Sequence, residues 1–326
     1  MSKELKVTVW LLSIGVVLTT LLIIGLVLLL SDDQPVLSTE PQWLYVPITA
    51  SISEIPTSDG LFADPNQRPP STTELSRSIR EAGLDDDILG IRMEIKAVAM
   101  GWGQLQEIRD ALAEFRTTGK ECKVWAEGYG NKEYYLATAC NEISLPPAGF
   151  FLVNGLSMST SYYAEMFEML DIRANFAHVG DFKSAVEPYE RSGPSQAASE
   201  AREALLDHLF DEFVAGIAIG RELSDDAVKI NLDNPPITPD GALKDEWVDQ
   251  LVYRDEFLLK DKEDFQLLHL NTYTTASSDS GWNNSPKVAV ITVDGAIMSG
   301  SSGQSSTDFF RQRTKNSATQ TLEGSW

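Results

Sequence analysis

One lysine in this chain stands where an amine could serve as a base: Lys183, in the block GDFKSAVEPYERSG from Gly180 to Gly193. A lysine amine has an ordinary pKa near ~10.4, so base chemistry at neutral pH requires desolvation or a second cation to lower it by about three units. Phe182, Ala185 and Val186 offer an apolar wall, whereas Asp181 and Glu187 favour the ammonium. The block leaves both outcomes open, and a lysine in such a turn is more often a solvated surface charge. Histidine chemistry has less to work with. His178 reads as a hydrogen-bonded structural residue at the end of a strand, His208 falls inside a long amphipathic helix, and His269 lies near a linker. There is no G-x-S-x-G elbow, no G-x-G-x-x-G and no phosphate-binding G-x-x-x-x-G-K-S/T loop. Cys122 and Cys140 form no short-range pair of zinc-ligand spacing with each other or with the histidines, so neither metal nor cofactor is expected. The GYGN turn, Gly128 to Asn131, opens a helix after a strand, where backbone amides could hold an anion; an unliganded helix start is the commoner case.

Alternating strands and helices must position these groups. Pro41 to Ile55 reads as a strand, and a Pro-rich loop from Asp64 to Pro70 follows it. Ser71 with Glu74 forms a capping box for a helix that Gly83 stops. Ile88–Ile95 is expected as a strand, Gln104–Phe115 as a helix, Cys122–Ala126 as a strand, Lys132–Ala139 as a helix and Glu142–Leu145 as a strand. Ser159–Leu170 is read as a helix, Ala174–Val179 as a strand, Ser195–Leu223 as a long helix with Leu205, Leu209, Phe213 and Ile217 on one face, and Leu243–Leu251 as a shorter helix. This order predicts an α/β domain.

Val7 to Leu30 contains no charged residue, and at ~1.5 Å per residue it covers a hydrocarbon core of about 30 Å. Lys3 and Lys6 precede it, Asp32 and Asp33 follow, and it ends in Leu28, Leu29 and Leu30 without a small-residue cleavage site. The expectation is an uncleaved single-span anchor with the chain after Leu30 exported. Cys122 and Cys140 would then meet an oxidising compartment, and they either pair or stay as two buried thiols. A net charge of -22, from 26 basic and 48 acidic residues among 326, repels nucleic acid.

Residues 1–30 are thus expected as a cytoplasmic tip and anchor, 31–275 as the exported domain, and 276–286, rich in Ser, Asp, Gly and Asn, as a linker. Beyond it KVAVITVDGAIM, Lys287 to Met298, repeats the character of WLYVPITASI, Trp43 to Ile52, so 287–326 is expected to begin a second repeat that stops early.

The blocks AEGYGNKEYYLATACNEISLPPAG (Ala126 to Gly149), VGDFKSAVEPYERSGPSQAASEAREALLDHLFDE (Val179 to Glu212) and ITPDGALKDEWVDQLVYRDE (Ile237 to Glu256), in that order behind an apolar run, resemble the long-form signal peptide peptidase A (protease IV) family. The resemblance implies a serine peptidase of the bacterial inner membrane, single-pass with its bulk on the periplasmic side. It would be built from tandem crotonase/ClpP-like domains and assembled as a bowl-shaped homo-oligomer. It also implies a Ser/Lys dyad in which Lys183 is the general base and a serine of the second domain the nucleophile. Neutral Lys183 would take the serine proton, and the acyl-enzyme formed on a peptide carbonyl would be released by water that the same amine activates. In the first domain Asn131 stands in the serine's place, and Lys132 and Glu133 replace paired glycines, so that pocket is expected to be inert. The implied substrates are remnant signal peptides and other apolar, extended peptides, with no cofactor and no nucleic acid. A chain without the serine also fits a non-catalytic membrane-tethered scaffold. An acyl-CoA-processing crotonase would share only the fold and conflicts with export.

Overall fold

The computed structural model describes residues 40–49, 52–55, 69–259 and 266–278, together with residues 10, 15 and 18–21. The chain divides into two units, Met1–Ser38 and Thr39–Trp326. In the first, the described residues are helical, and the Thr19 hydroxyl donates to the Gly15 carbonyl at 3.0 Å. Among the described residues no helix is long and apolar enough to cross a membrane. Most of the expected anchor, and all of the expected second repeat at 287–326, lie outside the described residues.

The second unit opens with β1 (Gln42–Ile48), α1 (Thr72–Leu84), β2 (Ile88–Ile95), α2 (Trp102–Thr117) and β3 (Glu121–Ala126). Next come β4 (Gly128–Tyr129), α3 (Asn131–Ala137), β5 (Glu142–Leu145) and β6 (Phe150–Phe151). α4 (Ala164–Met169), a 3-10 turn at Ser184–Val186, α5 (Glu187–Glu190) and α6 (Gln196–Arg221) follow. The chain continues through α7 (Asp225–Asp233), α8 (Pro239–Lys244), β7 (Gln250–Leu251), α9 (Arg254–Leu259), β8 (Gln266–His269) and α10 (Leu270–Ser278). α10 runs past the linker boundary expected at 275.

Six strands form one parallel sheet in the order β7-β5-β3-β2-β1-β8, and β4 pairs with β6 in a small second sheet. A parallel sheet is covered on both faces, so side chains on either face must be packed or hydrogen-bonded. Leu44, Val46 and Ile48 of β1 and Ile91 and Met93 of β2 are fully buried. α1 and α2 pack against each other and bury Leu75, Ile79, Leu105, Ile108 and Leu112 at helical spacing. The capping box at Ser71 forms as expected: Glu74 N–H donates to Ser71 Oγ at 3.2 Å, and Ser71 N–H donates to Glu74 Oε2 at 2.9 Å.

The alternate residues of the same strands carry polar and aromatic groups. Arg92 donates to the Phe257 carbonyl and lies over the Trp43 ring at 5.0 Å. Trp125 Nε1 donates to the Val252 carbonyl at 3.0 Å, and Trp125, Val252 and Phe257 form a core cluster. Glu94, 3% exposed, accepts two bonds from Arg254, at 2.6 and 2.8 Å, and one from the Tyr45 hydroxyl. α9 is thereby strapped across the strands.

Several expectations are corrected. Ala174–Val179 is not a strand and joins neither sheet; Phe176 instead lies 5.9 Å from the Tyr189 ring, in the lobe held by residues 187–190. His178 is therefore exposed loop, not a strand end. Leu243–Leu251 splits into the end of α8, a turn and β7, since β5 offers a free edge to Gln250 and Leu251. In α6 Phe213 and Ile217 are buried as expected, but Leu205 is 50% exposed: the first half of that helix stands clear of the sheet. Cys122 and Cys140 are disulfide-bonded, which settles the alternative left open by the sequence.

Candidate active site

The turn at Gly128–Asn131 sits where β3 and the small sheet deliver the chain to the start of α3. β4 is held by β6, and the Phe150 ring packs so tightly on Gly128 that no Cβ fits there. Asn131, the first residue of α3, is fully engaged. Its Oδ1 accepts from the N–H groups of Asn154 and Gly155, at 3.0 and 3.3 Å, and its Nδ2 donates to the Gly155 carbonyl at 2.7 Å. Gly155 turns both its N–H and its carbonyl toward one side chain by adopting φ +88°, a conformation that favours glycine.

Lys132 and Glu133 close the other side. Lys132 Nζ donates to the Met100 carbonyl at 2.7 Å, and Glu133 accepts from the Val98 N–H at 3.0 Å. The loop between β2 and α2 is thus tied down onto the helix start. An oxyanion site needs unsatisfied donors aimed at an open position. Here the side chains at the helix start are spent on internal bonds, and Asn131 carries no nucleophilic oxygen.

α3 itself is rigidly mounted. Arg109, from α2, donates to the Tyr135 carbonyl, to Thr138 Oγ1 at 2.8 Å and to the Gly216 carbonyl at 2.8 Å, joining α2, α3 and α6. Burial pushes the Tyr134 phenol far above its ordinary range, and its hydroxyl donates to the Trp247 carbonyl at 2.8 Å. The Cys122–Cys140 disulfide ties β3 to the turn after α3.

Lys183 lies elsewhere, in a lobe running from Leu152 to the first turns of α6. It is exposed, directly ahead of the 3-10 turn, and its backbone N–H donates to the Gly180 carbonyl at 3.1 Å. Gly180 makes that turn at φ +98°. The expected apolar wall is not in place within the described residues: Phe182 is 65% exposed and Ala185 is exposed. The reason is that this lobe packs mainly on itself, leaving Val179 91% exposed and Met169 81% exposed. Among the described residues the Lys183 amine has no hydrogen bond or ion pair, with Asn131 or with any other side chain.

Glu187, weighed in the sequence only as a charge beside Lys183, has a different partner. Its buried carboxylate accepts from Ser195 N–H at 2.9 Å and from Ser195 Oγ at 2.5 Å, and these bonds hold it below the usual carboxylate range. Ser195 is also the cap of α6, accepting from Ala198 N–H at 3.1 Å. The available signal was Ser195 at a helix start, eight positions after a glutamate. Among the described residues no group of three or more His, Cys, Asp or Glu side chains could hold a metal ion.

Residues 114–267 match the model of peptidase family S49. The chain is 31% identical over 157 residues to "Serine protease SPPA, chloroplastic" of Arabidopsis thaliana, covering 48% of this chain and 23% of that protein. It is 32% identical over 155 residues to "Protease 4" of Salmonella typhi, covering 47% of this chain and 25% of that protein. The chain thus matches about a quarter of the length of these relatives. Of solved structures, the 1510-N membrane-bound stomatin-specific protease (S97A mutant) aligns with a TM-score of 0.40 at 11% identity, over 72% of this chain and 98% of that one. An enoyl-CoA hydratase/carnithine racemase from Magnetospirillum magneticum aligns with a TM-score of 0.34 at 12% identity, over 59% of this chain and 61% of that one. The fold class rests on the strand order given above, not on these two likenesses.

Proposed function

From a chain that carries a peptidase family S49 domain over residues 114–267, we propose the amino-terminal part of a membrane-anchored Ser/Lys peptidase, in which Lys183 is the general base and the nucleophilic serine comes from a second domain. The domain is of the crotonase/ClpP type, exported and held by the apolar run at Val7–Leu30. The observation that carries the reading is the pairing of an internally bonded Asn131 site, which has an amide in place of a hydroxyl, with a Lys183 amine that has no partner among the described residues, inside one matched region. Among the described residues no serine hydroxyl is hydrogen-bonded to the Lys183 amine, so the reading takes the nucleophile from another domain.

The exposed lobe supports this division of labour. A solvated ammonium is a poor base, so Lys183 works only once an apolar surface covers it and lowers its proton affinity. Phe182, Val179 and Phe176 are the side chains available to line such a closure. The neutral amine then removes the serine proton as the hydroxyl oxygen attacks the peptide carbonyl; the amine leaving group departs with a proton, and water hydrolyses the ester. Substrates are apolar, extended peptides such as remnant signal peptides, and the working form is a homo-oligomer in the bacterial inner membrane with its bulk on the periplasmic side.

A second reading, a membrane-tethered scaffold without chemistry, is favoured by the internally bonded Asn131 turn. One experiment separates them. The chain, alone and mixed with the carboxyl-terminal half of a full-length relative, is treated with a serine-directed fluorophosphonate and assayed for peptide cleavage. Labelling and cleavage in the mixture only are the expected results; their absence from the mixture supports the scaffold.

A further inference from the structure

We propose that Glu187 is the positioning residue of the Lys183 lobe, fixing the turn that carries the amine to the start of α6 through Ser195 rather than pairing with the lysine. This rests on the peptidase reading above. Glu187 is the first residue of α5, directly after the 3-10 turn Ser184–Val186 that Lys183 precedes. It is buried in a lobe whose other charged side chains are largely exposed. Both carboxylate oxygens are committed to Ser195, one to the backbone N–H and one to the hydroxyl. The same hydroxyl accepts from Ala198, so the carboxylate is bonded into the cap of a 26-residue helix.

The rest of the lobe converges on the same short helix. Tyr163 N–H donates to the Pro188 carbonyl at 2.7 Å, and Phe176 N–H donates to Glu190 at 3.1 Å. The Tyr189 ring stacks on Phe167 at 6.3 Å and on Tyr163 at 6.1 Å. Residues 187–190 are therefore the hub through which α4, the Phe176 segment and α6 are held together, and Lys183 stands just ahead of it. The arrangement has a chemical consequence. A carboxylate free to pair with Lys183 would stabilise the ammonium and oppose its use as a base. With both Glu187 oxygens bonded to Ser195, the lobe is fixed without a hydrogen bond from the carboxylate to the amine.

The test uses Glu187→Ala and Glu187→Gln in the full chain in detergent. Glutamine can accept from Ser195 N–H and donate to Ser195 Oγ, so it keeps the geometry and removes the charge. Amide exchange at 183–195 is expected to quicken by roughly 10- to 100-fold in Glu187→Ala, from the loss of charge-assisted bonds at a buried site, and to stay near the parent rate in Glu187→Gln. Unchanged exchange in Glu187→Ala overturns the proposal. In the mixture with the serine-bearing half, Glu187→Ala is expected to lower kcat with little change in KM and with the rising limb of the pH profile in place, and Glu187→Gln to restore most of the rate. A limb displaced in both variants would make Glu187 a charge partner of Lys183 and refute the positioning role. If the parent mixture never cleaves, the peptidase reading fails, and the exchange measurement still decides whether Glu187 holds the lobe.

Discussion

Replacing Cys122 and Cys140 together by alanine should destabilise the domain by about 3 kcal/mol through the unfolded chain alone. The disulfide closes a loop with a sequence separation of 18, and cross-linking a loop of that size removes an entropy worth ~3 kcal/mol at room temperature. Both cysteines are buried, at 0% and 2% exposure, so lost packing adds to this figure rather than offsetting it. For a domain of this length the loss corresponds to a Tm lower by about 6–12 °C. The assay is urea and thermal unfolding of oxidised parent and double variant, followed by tryptophan fluorescence. Trp125 on β3 and Trp247 against Tyr134 report the two ends of the region the bond ties together. Equal midpoints for the two proteins would refute the reasoning. The same bond makes oxidative maturation matter: chain produced in a reducing compartment should match the double variant until oxidised.

Three further outcomes follow from particular contacts. Glu94 is held below the ordinary carboxylate range by Arg254 and Tyr45 against the opposing effect of burial. A depressed carboxylate stabilises the fold above its unfolded pKa, near ~4.3, and that contribution fades as pH falls through the folded value. Arg254→Met should therefore flatten the acid limb of a stability–pH curve below about pH 5, measured by urea midpoints. Tyr45, pushed up to about 12 chiefly by burial with Glu94 adding to it, gives the opposite sign, a contribution present below pH ~10 and lost as pH rises through the folded value. Arg109→Met leaves the carbonyls of Tyr135 and Gly216 without their buried donor and should cost about 3 kcal/mol or more, read from the same denaturation curves. Asn131→Ser should yield no peptidase activity in the chain alone, because Lys183 makes no bond to that turn; fluorophosphonate labelling of the variant checks it.

The local signals were the most legible. Ser71 and Ser195 announce helix starts because a cap needs only a side-chain oxygen and an amide two or three residues ahead. β2, β3 and β5 could be read as short segments rich in aliphatic residues set between helical patterns. What failed depended on distant partners. Ala174–Val179 has the composition of a strand but packs instead in the lobe around Tyr189, while Gln266–His269 pairs beside β1. Leu205 has helical spacing yet faces away from any core, since burial is a property of the assembled elements. At the site, Lys183 was visible as a motif but its exposure was not. The pairing of Glu187 with Ser195 was hidden by the nearer and more obvious charge on Lys183.

The central claim is that the Lys183 amine serves a hydroxyl brought by another domain. Its most direct test is the cleavage rate of the mixed halves with Lys183→Ala set against Lys132→Ala, each normalised to the amount of assembled complex. The account predicts a fall of about 10²- to 10⁴-fold for Lys183→Ala, the usual worth of a general base, with Lys132→Ala far less affected. A Lys183→Ala complex that cleaves at the parent rate would contradict it.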